Sequence, residues 1–173
     1  TQGHSLTVDW RISDANTIRS ITAKRKLTWQ DGLDLDGSPL DIARTQRLSD
    51  YDSTSQELQW IGSNGGLQYV AGLYYFKDDG YTDNPQAFFL DFGPAVGVRF
   101  KSQYGFTTKA TAGFGQVEIP LNDQFSFTGG LRYTNETKTI ARCAGLVGVF
   151  DYVPCLTRAE KSFNATTPLA VLT

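Results

Sequence analysis

The stretch FSFTGGLRYTNETK, residues 125–138, decides the fold class. From Phe125 to Tyr133 every second position holds an apolar residue or glycine, and the positions between them hold polar residues or glycine. A period of two is typical of a β-strand with one apolar and one polar face. In a soluble sheet the apolar face packs on a core, whereas in a transmembrane barrel it contacts lipid and the polar face lines the lumen. The alternation therefore predicts a strand and leaves both environments open.

The composition narrows the class of protein. The 173 residues predict a single β-domain, 1–173, and 40% hydrophobic with 20% charged residues favours a folded chain. A net charge of -2 argues against nucleic-acid binding. The sequence contains no run of about 18 apolar residues, as a transmembrane helix needs, but barrel strands need only about 9–11 residues each. Seventeen glycines and 13% aromatic residues favour β-structure over a helical bundle.

The same alternation recurs along the chain and predicts about seven strands. They cover about 6–13, 17–29, 54–61, 67–77, 106–119, 124–140 and 162–173. Short turns follow the first, third and fifth strands, and long segments at about 30–53, 78–105 and 141–161 follow the second, fourth and sixth. Short turns at one end and long loops at the other are typical of an outer-membrane barrel.

The sequence thus predicts an all-β, antiparallel up-and-down meander that forms part of a transmembrane β-barrel. The alternative is a soluble β-sandwich or small barrel. In the barrel, Phe125, Phe127, Leu131 and Tyr133 are expected to face lipid. Arg132 and Thr134 are expected to face the lumen.

Four segments resemble the barrel of TonB-dependent outer-membrane receptors. They are TIRSITAKRK (17–26), LDGSPLDIA (35–43), SQELQWIGSNGGLQYVAGLYYF (55–76) and KATAGFGQVEIPLNDQFSFTGGLRYTNETK (109–138). Barrels of that family have 22 strands around a globular plug. The resemblance therefore implies that the chain is a middle part of such a barrel, with the plug and most strands missing. The last residue, Thr173, is not the terminal aromatic residue of such barrels.

The resemblance also implies a role in the bacterial outer membrane. The intact receptor would take up a scarce nutrient such as a metal chelate or other large solute, and the three long loops would contact it. The implied partners are the rest of the barrel and the plug, the lipid bilayer and an energy-coupling periplasmic protein, with no nucleic acid. The alternatives are a soluble all-β binding or structural module without a transport role and, with less support, a hydrolase on a β-scaffold.

The residues that could carry chemistry are few. His4 is the only histidine and lies near the start of the chain, so no catalytic residue, metal site or cofactor is predicted, and the protein is expected not to be an enzyme. The acidic run 31–41 fails the EF-hand pattern, because Gly32 and Ala43 occupy the first and last ligand positions.

Cys143 and Cys155 share one predicted loop. In an exported protein they are candidates for a structural disulfide, and two free thiols are the alternative. The aromatic run 74–76 is expected to form part of an interfacial girdle, whereas Phe88 and Phe89 fit either a girdle or a ligand-contacting loop.

Overall fold

The computed structural model, which describes residues 1–147 and 155–173, forms one antiparallel sheet whose strand order follows the chain order. The strands are β1 (Gln2–Ser13), β2 (Asn16–Asp34), β3 (Ala43–Asn64), β4 (Leu67–Phe88), β5 (Val98–Pro120), β6 (Ser126–Leu146) and β7 (Cys155–Leu172). One turn of 3₁₀ helix, Leu90–Phe92, lies between β4 and β5. The seven-stranded up-and-down meander is confirmed. In the described ranges, no helix has the length and apolar character needed to cross a membrane.

The short connections lie at one end of the sheet. β3 and β4 are joined by Gly65 and Gly66, which have φ values of 60° and 88°. Two consecutive residues with positive φ are what a tight two-residue hairpin turn requires, and glycine adopts them without strain. The Ser63 N–H beside this turn donates to the Ala15 carbonyl in the β1–β2 turn over 2.9 Å. These two turns therefore touch each other.

The long loops are shorter than the sequence predicts. Strand pairing continues through most of 30–53 and 78–105, so that the connections shrink to 35–42 and 89–97. The reason is that both faces carry polar residues there. Lys26 opposite Asp52 is one such cross-strand pair, and the period of two disappears from the sequence although the hydrogen-bond ladder continues. In the third predicted loop, β6 continues to Leu146 and β7 begins at Cys155, and residues 148–154 lie outside the described residues.

One face of the sheet carries a band of exposed apolar side chains. Residues that oppose each other in the register share a face, and one row across the sheet reads Trp10, Ile18, Trp60, Ala71, Gly115, Leu131 and Pro168. The neighbouring rows on this face add further large side chains. We call the following set the apolar band: Leu6, Val8, Trp10, Leu58, Trp60, Leu73, Tyr75, Ile119, Phe127, Leu131 and Tyr133.

In residues 1–147 and 155–173, no second layer covers the apolar band. Leu131 is 56% exposed and Trp10 is 69% exposed. Among the described residues, the buried hydrophobic side chains are four alanines, Ala87, Ala110, Ala112 and Ala144. A soluble sandwich would bury its large apolar residues between two sheets. The single exposed layer is therefore not the packing of the soluble alternative.

The height of the apolar band fits a membrane. Along β6 it extends from Phe127 to the row of Asn135, about 26 Å at about 3.3 Å per residue. A strand tilt of about 40° would reduce this to about 20 Å, close to the apolar belt of outer-membrane barrels, about 25 Å. Phe127, Leu131 and Tyr133 lie on this face, and Phe125 just precedes β6 and is also exposed.

Candidate ligand-binding surface

The opposite face of the sheet, the polar face, carries ion pairs and arginine–aromatic contacts. Arg132 lies here, as the alternation predicts, with its Nε donating to the Thr134 hydroxyl over 3.2 Å. Its guanidinium lies 5.4 Å from the centre of the Tyr74 ring and 5.7 Å from that of Phe114. A guanidinium within about 6 Å of a ring centre is attracted to it electrostatically. Arg132 is thereby held close to the aromatic rings of the two preceding strands.

A glycine makes room for this contact. The Phe114 ring lies over β4 at Gly72, where a side chain would collide with the ring. A second glycine, Gly80, has the same function nearer the loops, where the rings of Tyr51 and Phe106 approach to 5.8 Å. Large side chains therefore pack across the strand rather than projecting from it.

Nearer the loops the polar face is rich in arginine and aromatic side chains. Arg47 lies 4.8 Å from the Trp29 ring and donates to both carboxylate oxygens of Asp31, over 3.1 Å and 2.6 Å. Arg142 lies 5.7 Å from the Tyr104 ring. Within the described ranges, Arg142 has no carboxylate partner. We call the following set the arginine–aromatic surface: Trp29, Arg47, Tyr51, Tyr104, Phe106 and Arg142.

The first two loops bind each other at the far end of the sheet. The N–H of Phe89 donates to the Ile42 carbonyl over 2.7 Å, and the N–H of Leu90 donates to the Asp41 carbonyl over 3.0 Å. In return the Asp41 N–H donates to a carboxylate oxygen of Asp91 over 2.8 Å. Loops 35–42 and 89–97 therefore form one unit that borders the arginine–aromatic surface.

Within loop 35–42, Asp36 acts as the organising acceptor. Its carboxylate accepts from the N–H of Ser38 over 2.9 Å and from the N–H of Ala43 over 2.8 Å. Interaction with the Ser38 side chain and the hydrogen bond from Ala43 lower the pKa of Asp36 from 3.8 to about 2. The carboxylate oxygens of Asp36 thus accept hydrogen bonds from the loop backbone. This gives the acidic residue a structural role that does not require a bound calcium ion.

The predicted aromatic girdle is only partly correct. Tyr75 lies at the edge of the apolar band, 41% exposed. Tyr74 and Phe76 lie on the polar face, because successive residues of a strand point to opposite faces. Phe88 ends β4, and Phe89, with φ 56°, begins the loop and packs edge-on against Phe92 at 6.0 Å. Both lie beyond the apolar band, so they belong to the loop end rather than to a girdle.

The residues that the sequence singles out for chemistry are His4, Cys143 and Cys155. His4 is exposed on the edge strand β1, opposite Lys24. Within 1–147 and 155–173, no three histidine, cysteine or acidic residues cluster closely enough to hold a metal ion. Cys143 and Cys155 oppose each other in the β6–β7 register. The side chain of Cys155 lies outside the described residues, so the disulfide stays a prediction.

Sequence reasoning missed the arginine–aromatic surface because it placed Asp31 and Arg47 in a loop. A signal existed in the phase of β2. The odd-numbered residues of β2 from Arg19 onward lie on the polar face. Continuing this alternation beyond Trp29 places Asp31 on the polar face next to Trp29.

Comparison with known proteins identifies the class. The family described as TonB dependent receptor-like, beta-barrel matches residues 1–172, and the chain belongs to this family. No curated protein matches the sequence.

Solved structures of such receptors share the fold. The ferric yersiniabactin uptake receptor FyuA from Yersinia pestis superposes with a TM-score of 0.72 at 16% identity, over 98% of this chain and 24% of the receptor. The siderophore receptor PiuA from Acinetobacter baumannii gives 0.63 at 12% identity, over 98% and 29%. The ferric-catecholate import receptor Fiu from E. coli K12 gives 0.62 at 13%, over 98% and 32%. The chain thus spans between 24% and 32% of the length of these receptors.

Proposed function

We propose that the chain forms part of the wall of a bacterial outer-membrane receptor that takes up a scarce, large solute. In this arrangement the apolar band contacts lipid, and the polar face lines the lumen. The observation that carries the proposal is the separation of the two faces. Leu131 and Tyr133 project from one side of β6, where they are more than half exposed, and Arg132 and Thr134 project from the other.

The partners follow from the same arrangement. β1 and β7 are the edges of the sheet and have unpaired backbone groups on one side. Unpaired edges invite further strands. The proposed neighbours are the rest of the barrel, a plug against the polar face, the lipid bilayer, and a periplasmic protein that couples energy to uptake. No catalytic step is assigned to the chain.

The arginine–aromatic surface suggests the chemistry of the solute. Arg47 is neutralised by Asp31, whereas Arg142 has no ion pair within the described residues and stands beside Tyr104. A guanidinium with an aromatic ring suits a ligand that offers both negative charge and flat groups. Metal chelates combine these features, and two of the similar structures are those of a ferric yersiniabactin uptake receptor and a ferric-catecholate import receptor. We therefore propose an anionic metal chelate as the solute.

Ligand binding tests this proposal. The protein in its full encoded length would be purified in detergent, and a panel of ferric chelates would be titrated while tryptophan fluorescence is followed. Arg142→Gln should weaken binding of the preferred chelate at least tenfold, since a charge-assisted contact contributes about 1.5–3 kcal/mol. Arg11→Gln is the matched control, because Arg11 lies on the same face at the short-turn end. Equal affinity of both variants, or no binding of any chelate, would refute the assignment.

Detergent dependence tests the membrane arrangement separately. A protein with the apolar band exposed to water should aggregate when detergent is removed and recover in lipid vesicles. A protein that stays monomeric and β-structured in buffer alone would instead support the soluble binding or structural module.

A further inference from the structure

A row of lysines borders the apolar band on the side of the loops. The register places Lys24, Thr54, Lys77, Lys109 and Thr137 side by side on β2 to β6. Each lies two positions along its strand from a residue in the row of Tyr75, as Lys77 does from Tyr75 itself, and therefore projects from the same face. The row lies about 7 Å beyond the last row of the apolar band, measured along the strands.

The row has an excess of positive charge. It contains three lysines and no carboxylate. Lys77 and Lys109 oppose each other directly, and like charges in that position destabilise a sheet. An anion bound between them would relieve that repulsion.

Neighbouring carboxylates compensate this charge only in part. Lys77 Nζ lies 2.5 Å from an oxygen of Asp79, and Lys24 Nζ lies 3.9 Å from one of Asp52. Lys109 is exposed, and none of the residues that the structure describes forms an ion pair with it. The next row outward supplies these two aspartates but also Lys26. Over the two rows on β2 to β5, positive charge is thus in excess.

The lysines are confined to one edge of the apolar band. At the short-turn edge, the same face of β2 to β6 carries the following residues: Asn16, Gly62, Tyr69, Val117, Gly129, Ile119 and Phe127. None of them is cationic. A lysine row that only improved solubility would have no reason to favour one edge.

We propose that Lys24, Lys77 and Lys109 bind the phosphate of an anionic lipid headgroup at the loop-side surface of the membrane. This inference rests on the proposed orientation of the apolar band in lipid. Lysine side chains lie along apolar surface and extend their ammonium groups to the headgroups. Each ammonium offers three donors, and the hydroxyl of Thr54 adds one more donor in the same row. Phosphate oxygens can accept several of these bonds at once, and basic clusters beside a membrane attract anionic lipids.

The test compares two triple variants of equal charge. The row variant is Lys24→Gln with Lys77→Gln and Lys109→Gln. The matched control is Lys101→Gln with Lys138→Gln and Lys161→Gln. Lys101 pairs with Asp83 nearer the loops, and Lys138 and Lys161 oppose each other on the polar face. Each protein, in its full encoded length, would be titrated in nonionic detergent with phosphatidate or with phosphatidylcholine, and bound lipid would be counted by native mass spectrometry. The β-sheet signal in circular dichroism checks folding of both.

The expected effect follows from the charge of the row. A lysine near an anionic membrane surface contributes about a fivefold gain in affinity, so three contribute roughly a hundredfold. Because Asp52 and Asp79 remain, we expect the row variant to bind phosphatidate at least tenfold more weakly. The control should keep the wild-type affinity for phosphatidate. Replacing Lys24, Lys77 and Lys109 by arginine should also preserve this affinity. If the row variant fails to fold, Lys109→Gln alone should still bind phosphatidate about fivefold more weakly. This single variant is expected to fold, because it leaves no carboxylate without a partner.

Every other outcome overturns the inference. Equal loss in both triple variants would mean that overall charge, not the row, attracts phosphatidate. Equal binding of phosphatidylcholine would exclude the phosphate monoester as the recognised group. Displacement by inorganic phosphate at the same concentration would assign the row to a soluble anion. A protein that inserts into vesicles but has no phosphatidate preference would refute this inference alone, whereas one that needs no detergent would refute the proposed function and this inference together.

Discussion

Replacing Gly72 by alanine tests how tightly the polar face is packed. A Cβ at this position would lie 2.5 Å from Cζ of Phe114 and 2.8 Å from the backbone carbonyl oxygen of Leu58. The ring can swing away, although it would then leave Arg132. The Leu58 carbonyl belongs to the β3 backbone and has no comparable freedom. The strand must therefore shift, and moving the ring cannot relieve the whole collision.

The magnitude follows from three contributions. Overpacking typically costs about 1–3 kcal/mol. Loss of the Arg132–Phe114 contact would add roughly 0.5–1 kcal/mol. Replacing glycine by alanine returns about 0.4–1 kcal/mol by restricting the unfolded chain. We expect the free energy of unfolding to fall by about 2 kcal/mol.

Urea titration in lipid vesicles, followed by tryptophan fluorescence, measures this change. Gly113→Ala is the control, because its Cβ would meet only Leu73 Cδ2, at 3.8 Å, an ordinary contact. It should leave the unfolding free energy unchanged or raise it by up to about 1 kcal/mol, because alanine restricts the unfolded chain. Adding Phe114→Leu to Gly72→Ala should recover only part of the loss, since the Leu58 carbonyl remains. Equal stability of the Gly72 and Gly113 variants would refute the packing described here.

Three further outcomes are expected. Leu131→Arg, on the apolar band, should cost about 2–4 kcal/mol of unfolding free energy in lipid vesicles, whereas Thr134→Arg on the polar face should cost much less; equal costs would contradict the assigned faces. The Asp36 carboxyl should titrate near pH 2 when followed by NMR. Because its folded pKa lies below the unfolded value of 3.8, Asp36 stabilises loop 35–42 fully above about pH 4, and this stabilisation is lost as the pH falls through 2. A titration midpoint near 3.8 would show that the loop does not bind the carboxylate. Replacing Cys143 and Cys155 by serine should lower stability by at most about 3 kcal/mol, and a thermal midpoint unaffected by reductant in the unmodified protein would exclude the bridge.

The sequence predicts the strands well at the level of the apolar band, because there one face of the sheet is apolar and the other is polar. On β6 the alternation from Phe127 to Thr134 assigns every side chain to its face. The outer parts of the strands are hydrogen-bonded just as regularly, but polar residues on both faces remove the signal. This is why Lys26 and Asp52, which face each other on neighbouring strands, were assigned to a strand and a loop.

The arginine–aromatic contacts of the polar face could be predicted only in part for the same reason. Tyr74, Tyr75 and Phe76 are consecutive aromatic residues and give no phase of their own, so the contact of Tyr74 with Arg132 depends on register rather than on composition. The placement of Arg142 beside Tyr104 likewise follows from pairing between β5 and β6. Such pairing is a long-range property, which no local window of sequence contains.

The mutual hydrogen bonds between the first two loops have a consequence for how this end of the barrel can vary. Asp41 both donates to and accepts from the hairpin that carries Asp91, so neither tip can lengthen or tilt without disturbing its neighbour. A protein that binds one tip would therefore sense changes made in the other. Diversity at this surface should arise by paired replacement of both tips rather than one at a time.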